Sequence, residues 1–301
     1  MEFCKPTSTI DEQLDILISR GLLIQNRKKA HQVLSEVNYY RLSAYYLPFQ
    51  KDHKQHLFYP NATFEKIVRL YQFDEGLRNI VMPVVESAEV LARMRITYHL
   101  VTKYKDPFAY LNKRLYSKKF IGEQIAREDL QRFLPDEHVV SIWDALVDKG
   151  YIDRKGNIKK RPIEGRDLAG VDVLVLEGLQ NLFQTSSFDV WMRKMDDSIK
   201  ESKEEFVRHY LSTYYADSPG VPLWMVSEII SFGQLSKLYA GLNSDDKEAI
   251  AKQYDLSHRV FGQWLHAIIY LRNICAHHSR LWNRELEIRP IRPRELPENK
   301  F

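Results

Sequence analysis

Cysteine is almost missing from this chain: 301 residues contain two, Cys4 and Cys275. Two thiols make neither a disulfide framework nor a cysteine-rich zinc site. Long apolar runs are missing as well. No stretch approaches the ~20 apolar residues that a bilayer-spanning helix needs, and the first residues, Met1 to Pro6, hold no apolar signal core. A cytoplasmic protein with no membrane partner is therefore expected. An excess of one charge is lacking: 44 Lys and Arg face 40 Asp and Glu, a net +4 that permits a nucleic-acid partner without requiring one. H-E-x-x-H, paired C-x-x-C and G-x-x-x-x-G-K are all absent, and the zinc and phosphate-loop chemistries they announce are not expected. No metal and no cofactor is anticipated. The chain shows no internal repeat array, no low-complexity tract and no sustained heptad run. With 44% hydrophobic and 28% charged residues, it reads as a soluble globular protein of one large or two ordinary domains.

One absence leads to the most informative stretch. No Gly or Pro lies between Gly262 and Pro290, which predicts one long helix ended by Pro290. Within it, Leu271 to Arg284 reads Leu-Arg-Asn-Ile-Cys-Ala-His-His-Ser-Arg-Leu-Trp-Asn-Arg. At about 100° per residue, Trp264, Ile268, Leu271, Cys275 and Trp282 share a side that reads as core. Asn273, His277, Arg280 and Arg284 share the opposite side, with Arg272 on its flank. His278 points toward the apolar side. The two histidines are thus expected to differ, with His278 packed and hydrogen-bonded. His277 faces outward among an amide and guanidinium groups, where an imidazole moves protons.

Such a set can act on a phosphodiester. RNA supplies its own nucleophile, the 2′-hydroxyl. An enzyme then needs a proton acceptor, a donor for the leaving 5′-oxygen and positive charge around the phosphorane. His277 serves as acceptor or donor. Arg272 or Arg280 forks the phosphate, and Asn273 orients the imidazole or the ribose. Two features oppose a self-contained site. Arg272 and His277 lie about 140° apart around a straight helix, and one histidine falls short of an acid plus a base. A solvated polar stripe without chemistry accounts for the same residues.

Arg272-Asn273, three residues, then His277 fits the R-x4-6-H motif of the HEPN superfamily. The longer string through Asn283-Arg284 resembles the Abi-like (AbiD/AbiF-type) abortive-infection proteins within it. Two other strings are similar to the same family: Asn38-Tyr39-Tyr40-Arg41-Leu42-Ser43-Ala44-Tyr45-Tyr46-Leu47-Pro48-Phe49, and Pro222-Leu223-Trp224 with Glu228 and then Ser231-Phe232-Gly233. The resemblance covers roughly residues 10–105 and 205–285. It implies a mainly α, HEPN-like helical bundle and a metal-independent endoribonuclease that leaves a 2′,3′-cyclic phosphate and a 5′-hydroxyl. It also implies a toxin that defends against phage by growth arrest, and in some relatives a structured small RNA as neutralising partner. HEPN nucleases build their site from paired domains. A homodimer that brings two copies of His277, Arg272 and Asn273 into one cleft is therefore the expected assembly. The alternatives are a catalytically silent HEPN-type module that holds RNA or regulates a partner, and a nucleotide-handling member of a toxin–antitoxin pair.

Elsewhere the patterns divide the chain into 1–105, an inserted module at 106–194, and 195–301 with the motif. Thr9 with Glu12 reads as a capping box. Tyr39, Tyr40 and Arg41 can stack on bases and hold phosphate, although aromatics at such density also pack cores. Asp74 and Arg78 can pair one turn apart. Pro83 suits the first turn of a new helix, which carries Arg93 and His99 at the loose motif spacing, either as a second centre or as paired surface charges. In the insert, a helix to Asp148 precedes a basic hairpin whose Lys155 and Lys159 are RNA-contact candidates; together they resemble a small winged module. The expected class is mainly α with a small α+β insert.

Overall fold

The computed structural model describes residues 7–161, 163, 168 and 172–292; Cys4 lies outside them. Local signals set the first elements. The Thr9 hydroxyl accepts the Glu12 amide at 3.3 Å while the Glu12 carboxylate accepts the Thr9 N–H at 2.7 Å. This reciprocal cap starts α1 (Ile10–Ser19). Asn26 caps α2 (Arg27–Glu36). After α3 (Tyr39–Ser43) come two strands that the sequence did not signal, β1 (Gln50–Asp52) and β2 (Leu57–Phe58), paired antiparallel with Gln50 opposite Phe58.

The next helix departs from expectation. Thr63 accepts the Lys66 amide at 3.2 Å and opens α4 (Phe64–Tyr104), but α4 runs for 41 residues with Pro83 inside it. The proline costs the hydrogen bond its missing N–H would give Asn79. Buried Asp74 and Arg78 before it, and Val85, Ala92, Ile96 and Leu100 after it, hold both halves in register. One further correction follows: exposed apolar residues recur every seven along α4. Divided at Pro83, neither half is long enough to reveal that heptad run.

The middle of the chain has a hydrophobic cluster of its own, centred on Leu130, Trp143, Leu146, Tyr151, Leu179 and Phe183. It comprises α5 (Arg127–Leu130), α6 (Asp136–Asp148) and α7 (Val173–Gln184). The expected hairpin follows α6: Ile152 pairs with Ile158, and the Gly156 N–H returns to the Asp153 carbonyl at 2.8 Å. Gly156, at φ +79°, is needed there, since a Cβ would strike the Ile125 carbonyl and the Trp143 ring.

α8 (Ser187–Glu201), α9 (Glu205–Thr213) and α10 (Leu223–Ile229) follow. Gly233 neither ends nor crowds a helix. The break lies at Ser231, whose hydroxyl accepts the Gln234 amide while the Gln234 side chain accepts the Ser231 N–H, starting α11 (Phe232–Gly241). Then come α12 (Ser244–Lys252) and α13 (His258–Ala276). Thirteen α-helices and one two-stranded sheet among the described residues make the fold mainly α. None of those helices is long and apolar enough to cross a membrane.

Contacts divide the chain differently from the three-part pattern, into 1–86 with 271–287 and 87–270 with 288–301. The first unit is built on Leu14, Leu17, Leu42, Tyr45, Phe58 and Ile67. The second holds one core around Ile96, Trp191, Leu223, Leu235 and Phe261, besides the separate middle cluster.

Candidate functional site

The motif helix stops at Ala276, well short of Pro290. The His277 N–H still bonds the Asn273 carbonyl at 3.0 Å, but the His278 N–H turns back to Cys275 at 3.0 Å and the Ser279 N–H to Ile274 at 2.9 Å. This pair of bonds closes a helix and requires a left-handed residue at its end. His278 supplies it at φ +53°. Glycine is usual there, and histidine is among the few larger residues enriched in that region. The expected helix to Pro290 fails because closure needs neither Gly nor Pro when surrounding contacts hold the turn.

Those contacts lie in the first unit. The Asp74 carboxylate, fully buried, accepts the Tyr45 hydroxyl at 2.5 Å, the Arg78 guanidinium, the Leu281 amide at 3.1 Å and the Trp282 amide. Burial, and then the Asp74 carboxylate it donates to, push the Tyr45 hydroxyl up to about 12. Two arginines staple α3 to the turn in both directions. Arg41 donates to the His278 carbonyl at 2.7 Å, and Arg280 donates to the Ala44 carbonyl at 2.6 Å.

Between these segments lies an open groove of about 610 Å³. Tyr40, Arg41, His277, His278, Arg280 and Arg284 line it, with Leu47 and the backbone of the turn, and no carboxylate belongs to the lining. The family described as Abi-like protein matches residues 32–158 and 174–283. The chain belongs to that family. Its membership suggests a function in abortive infection. The match runs through most of 106–194, where no likeness was expected, so the helix and hairpin of the middle module belong to the Abi-like pattern. No curated protein and no solved structure matches the chain.

The Abi-like groove unites five of the residues singled out from sequence: Tyr40, Arg41, His277, Arg280 and Arg284. It also takes in His278, which is exposed rather than packed; once the helix closes at Ala276, the wheel that turned His278 inward no longer applies. Arg272, half-buried, and Asn273, exposed, occupy the last turn of α13 and do not line the groove. Tyr39 is half-buried, with its hydroxyl accepting from Arg20 at 3.2 Å and its ring edge-on to Tyr46. Cys275 is buried, and that burial raises its thiol pKa. Trp282 is half-buried over the turn. Trp264, expected in the core, is exposed and donates its indole N–H to the Ile291 carbonyl at 3.0 Å.

The remaining candidates belong to the second unit. Lys155 borders a cleft of about 350 Å³ together with Lys119, Arg127, Arg154 and Trp143; Lys159 is not among the lining residues and lies 3.5 Å from Asp153. Arg127 sits over the Trp143 ring at 5.5 Å. No group of three or more His, Cys, Asp or Glu that could hold a metal occurs among the described residues. Sequence reasoning missed Asp74 as the anchor of the motif turn. Its pairing with Arg78 was legible from their spacing, but its two backbone partners were not.

Proposed function

We propose that this Abi-like chain is a HEPN-type endoribonuclease that cuts RNA in the groove. The observation that carries the reading is the presence of two exposed imidazoles on one carboxylate-free, arginine-lined surface. In the proposed reaction one imidazole, His277, removes the 2′-hydroxyl proton as that oxygen attacks phosphorus. The bond from phosphorus to the 5′-oxygen breaks, and a second proton donor protonates the departing oxygen, giving a 2′,3′-cyclic phosphate and a 5′-hydroxyl. His278 lines the same groove and answers the objection that one histidine is too few. Arg41 and Arg280 each use an NH1 group on a backbone carbonyl, but a guanidinium carries five N–H donors, and the others suit phosphate oxygens. The Tyr40 ring, 72% exposed, offers a platform for a base. Arg272 and Asn273, outside the groove of one chain, would contribute if a second copy brought them to RNA bound on the first. In the cell, cleavage would arrest the infected host.

The test is RNA cleavage by the purified chain in EDTA, with the product ends determined. Cyclic-phosphate ends that disappear in His277→Ala are expected. Activity that vanishes in EDTA and returns with magnesium would sink the mechanism. The second reading is a module that binds RNA without cutting it, favoured by the two arginines already engaged with carbonyls. It expects RNA retention and no cleavage in either protein.

A further inference from the structure

A pocket of about 300 Å³ in the second unit is lined by α8, α11 and the segment around Phe120. Helical spacing builds two of its walls. Ser187, Val190, Trp191 and Lys194 stand three or four residues apart along α8, and Lys237 and Ala240 three apart along α11, so each set forms one stripe. The two stripes are locked together. The Trp191 indole N–H donates to the Gln234 carbonyl at 2.8 Å, and the Gln234 side chain donates to the Lys194 carbonyl at 2.9 Å. Phe120 forms a third wall. Its carbonyl accepts the Phe188 N–H at 2.9 Å, and its ring stacks on Tyr116 at 5.3 Å. The ring approaches α11 only because residue 241 is glycine; a Cβ there would lie 2.6 Å from it.

The charged groups of this pocket share one sign. Arg132, Lys194 and Lys237 line it, and no carboxylate does. Neither lysine ammonium has a hydrogen-bond or ion-pair partner among the described residues, while Arg132 lies 3.2 Å from Asp129. Scattered surface lysines are ordinary; cations from three segments around one cavity raise the local concentration of anions. We propose that the pocket binds a small organic phosphate. The anion lies among the three cations, with the Thr185 and Ser187 hydroxyls as further donors, and the organic part rests on Phe120, Val190 and Ala240. Three observations select that class. A guanidinium fork with two ammonium point charges suits a dianion with several oxygens better than a single carboxylate. The start of α8 adds little, because the Phe188 and Asp189 amides are already taken by the Phe120 carbonyl and the Ser186 hydroxyl, so side chains supply the charge. Finally, the volume is at the lower end of the ~300–1,000 Å³ of small-molecule sites. Asp129 and Asp189, bonded to the lining residues Arg132 and Ser186, border the positive patch and disfavour a long polyanion. The inference goes beyond the ribonuclease reading, because it requires neither RNA nor cleavage.

The test is titration calorimetry of the full chain at physiological ionic strength with pyrophosphate, adenosine monophosphate and adenosine. Both phosphates are expected to bind and adenosine is not. Lys194→Ala and Lys237→Ala should each weaken both phosphates about tenfold or more. Both side chains are exposed, so circular dichroism should be unchanged. Lys200→Ala, in the last turn of α8 and outside the lining, should leave both affinities as they are. Ala240→Phe keeps every charge and crowds the apolar wall; it should weaken the nucleotide more than pyrophosphate. Failure of both phosphates to bind the wild type would overturn the proposal. So would binding that survives the loss of Lys194 and Lys237, which would put the anion elsewhere, or an equal loss in Lys200→Ala, which would reduce it to general surface charge. An Ala240→Phe chain that binds both phosphates as the wild type does would overturn the ester assignment. A single-stranded oligoribonucleotide that binds more tightly than either phosphate, and through the same two lysines, would overturn the small ligand and give the pocket to RNA. Since binding is read without cleavage, failure here is separable from failure of the catalytic reading.

Discussion

Arg93 and His99 on α4 share letters and approximate spacing with Arg272 and His277, yet the two regions use them in opposite ways. Arg93 is nearly buried, pairs with Glu89 and donates to the Ser227 and Ile230 carbonyls, closing the C-terminal end of α10. His99 lies 2.9 Å from Asp246, which also holds Lys103 and the Tyr104 hydroxyl at 2.7 Å each. All of these partners belong to the second unit. His277, by contrast, is exposed on the groove. Spacing counts letters; burial and prior hydrogen bonds decide which imidazole is available for chemistry.

The sharpest way to break this contrast is to remove each histidine. His277→Ala should lower RNA cleavage by about 10²–10⁴-fold with an unchanged melting temperature. His99→Ala should leave cleavage per folded molecule intact. The opposite pattern in paired cleavage and melting assays would move the site to α4. Next in size is stability. Arg93→Ala removes the cation beside nearly buried Glu89 and the donor to two carbonyls, and Asp74→Ala removes the carboxylate beside buried Arg78. Each should cost about 3–5 kcal/mol in urea unfolding; a loss below ~1 kcal/mol would mean that water satisfies those groups.

A smaller effect distinguishes the two histidines of the motif. His278→Gly removes the left-handed penalty and should stabilise the fold by about 1 kcal/mol, while lowering cleavage if its imidazole acts on RNA. Equal cleavage would confine His278 to its backbone role. The smallest expected effect is a pH dependence. Burial raises the Asp246 pKa, but hydrogen bonds from Lys103, His99 and Tyr104 outweigh it and hold the pKa below the usual 3.8. A depressed carboxylate contributes stability that is full above its unfolded pKa and is lost as pH falls through the folded one. The wild type should therefore lose stability below about pH 4 more steeply than Asp246→Asn. Identical acid limbs in unfolding curves would show that the cluster adds nothing.

Much of the fold was legible because its signals are local. The Thr9–Glu12 box and the hairpin after Asp148 need only neighbouring residues. The misreadings share one cause, tertiary contacts overriding local rules. Pro83 stays inside α4 because both flanks are packed. His278 ends α13 because the turn it enters is held by Asp74 and Arg41. The groove was half legible. Tyr40 and Arg41 were flagged from one string and His277 from another, but nothing in either string says that they share a surface.

The staples around the groove join residues more than 200 positions apart: Arg41 to His278, Arg280 to Ala44, Asp74 to Leu281. A ribosome makes the chain from the N-terminus, and the first unit must wait for all of residues 87–270 before Leu271 emerges. Until then α3 has no turn to hold and the two histidines do not exist. A polypeptide truncated by stalled translation anywhere in that interval lacks the groove entirely. The order of synthesis thus confines the groove to copies whose synthesis has passed Arg284.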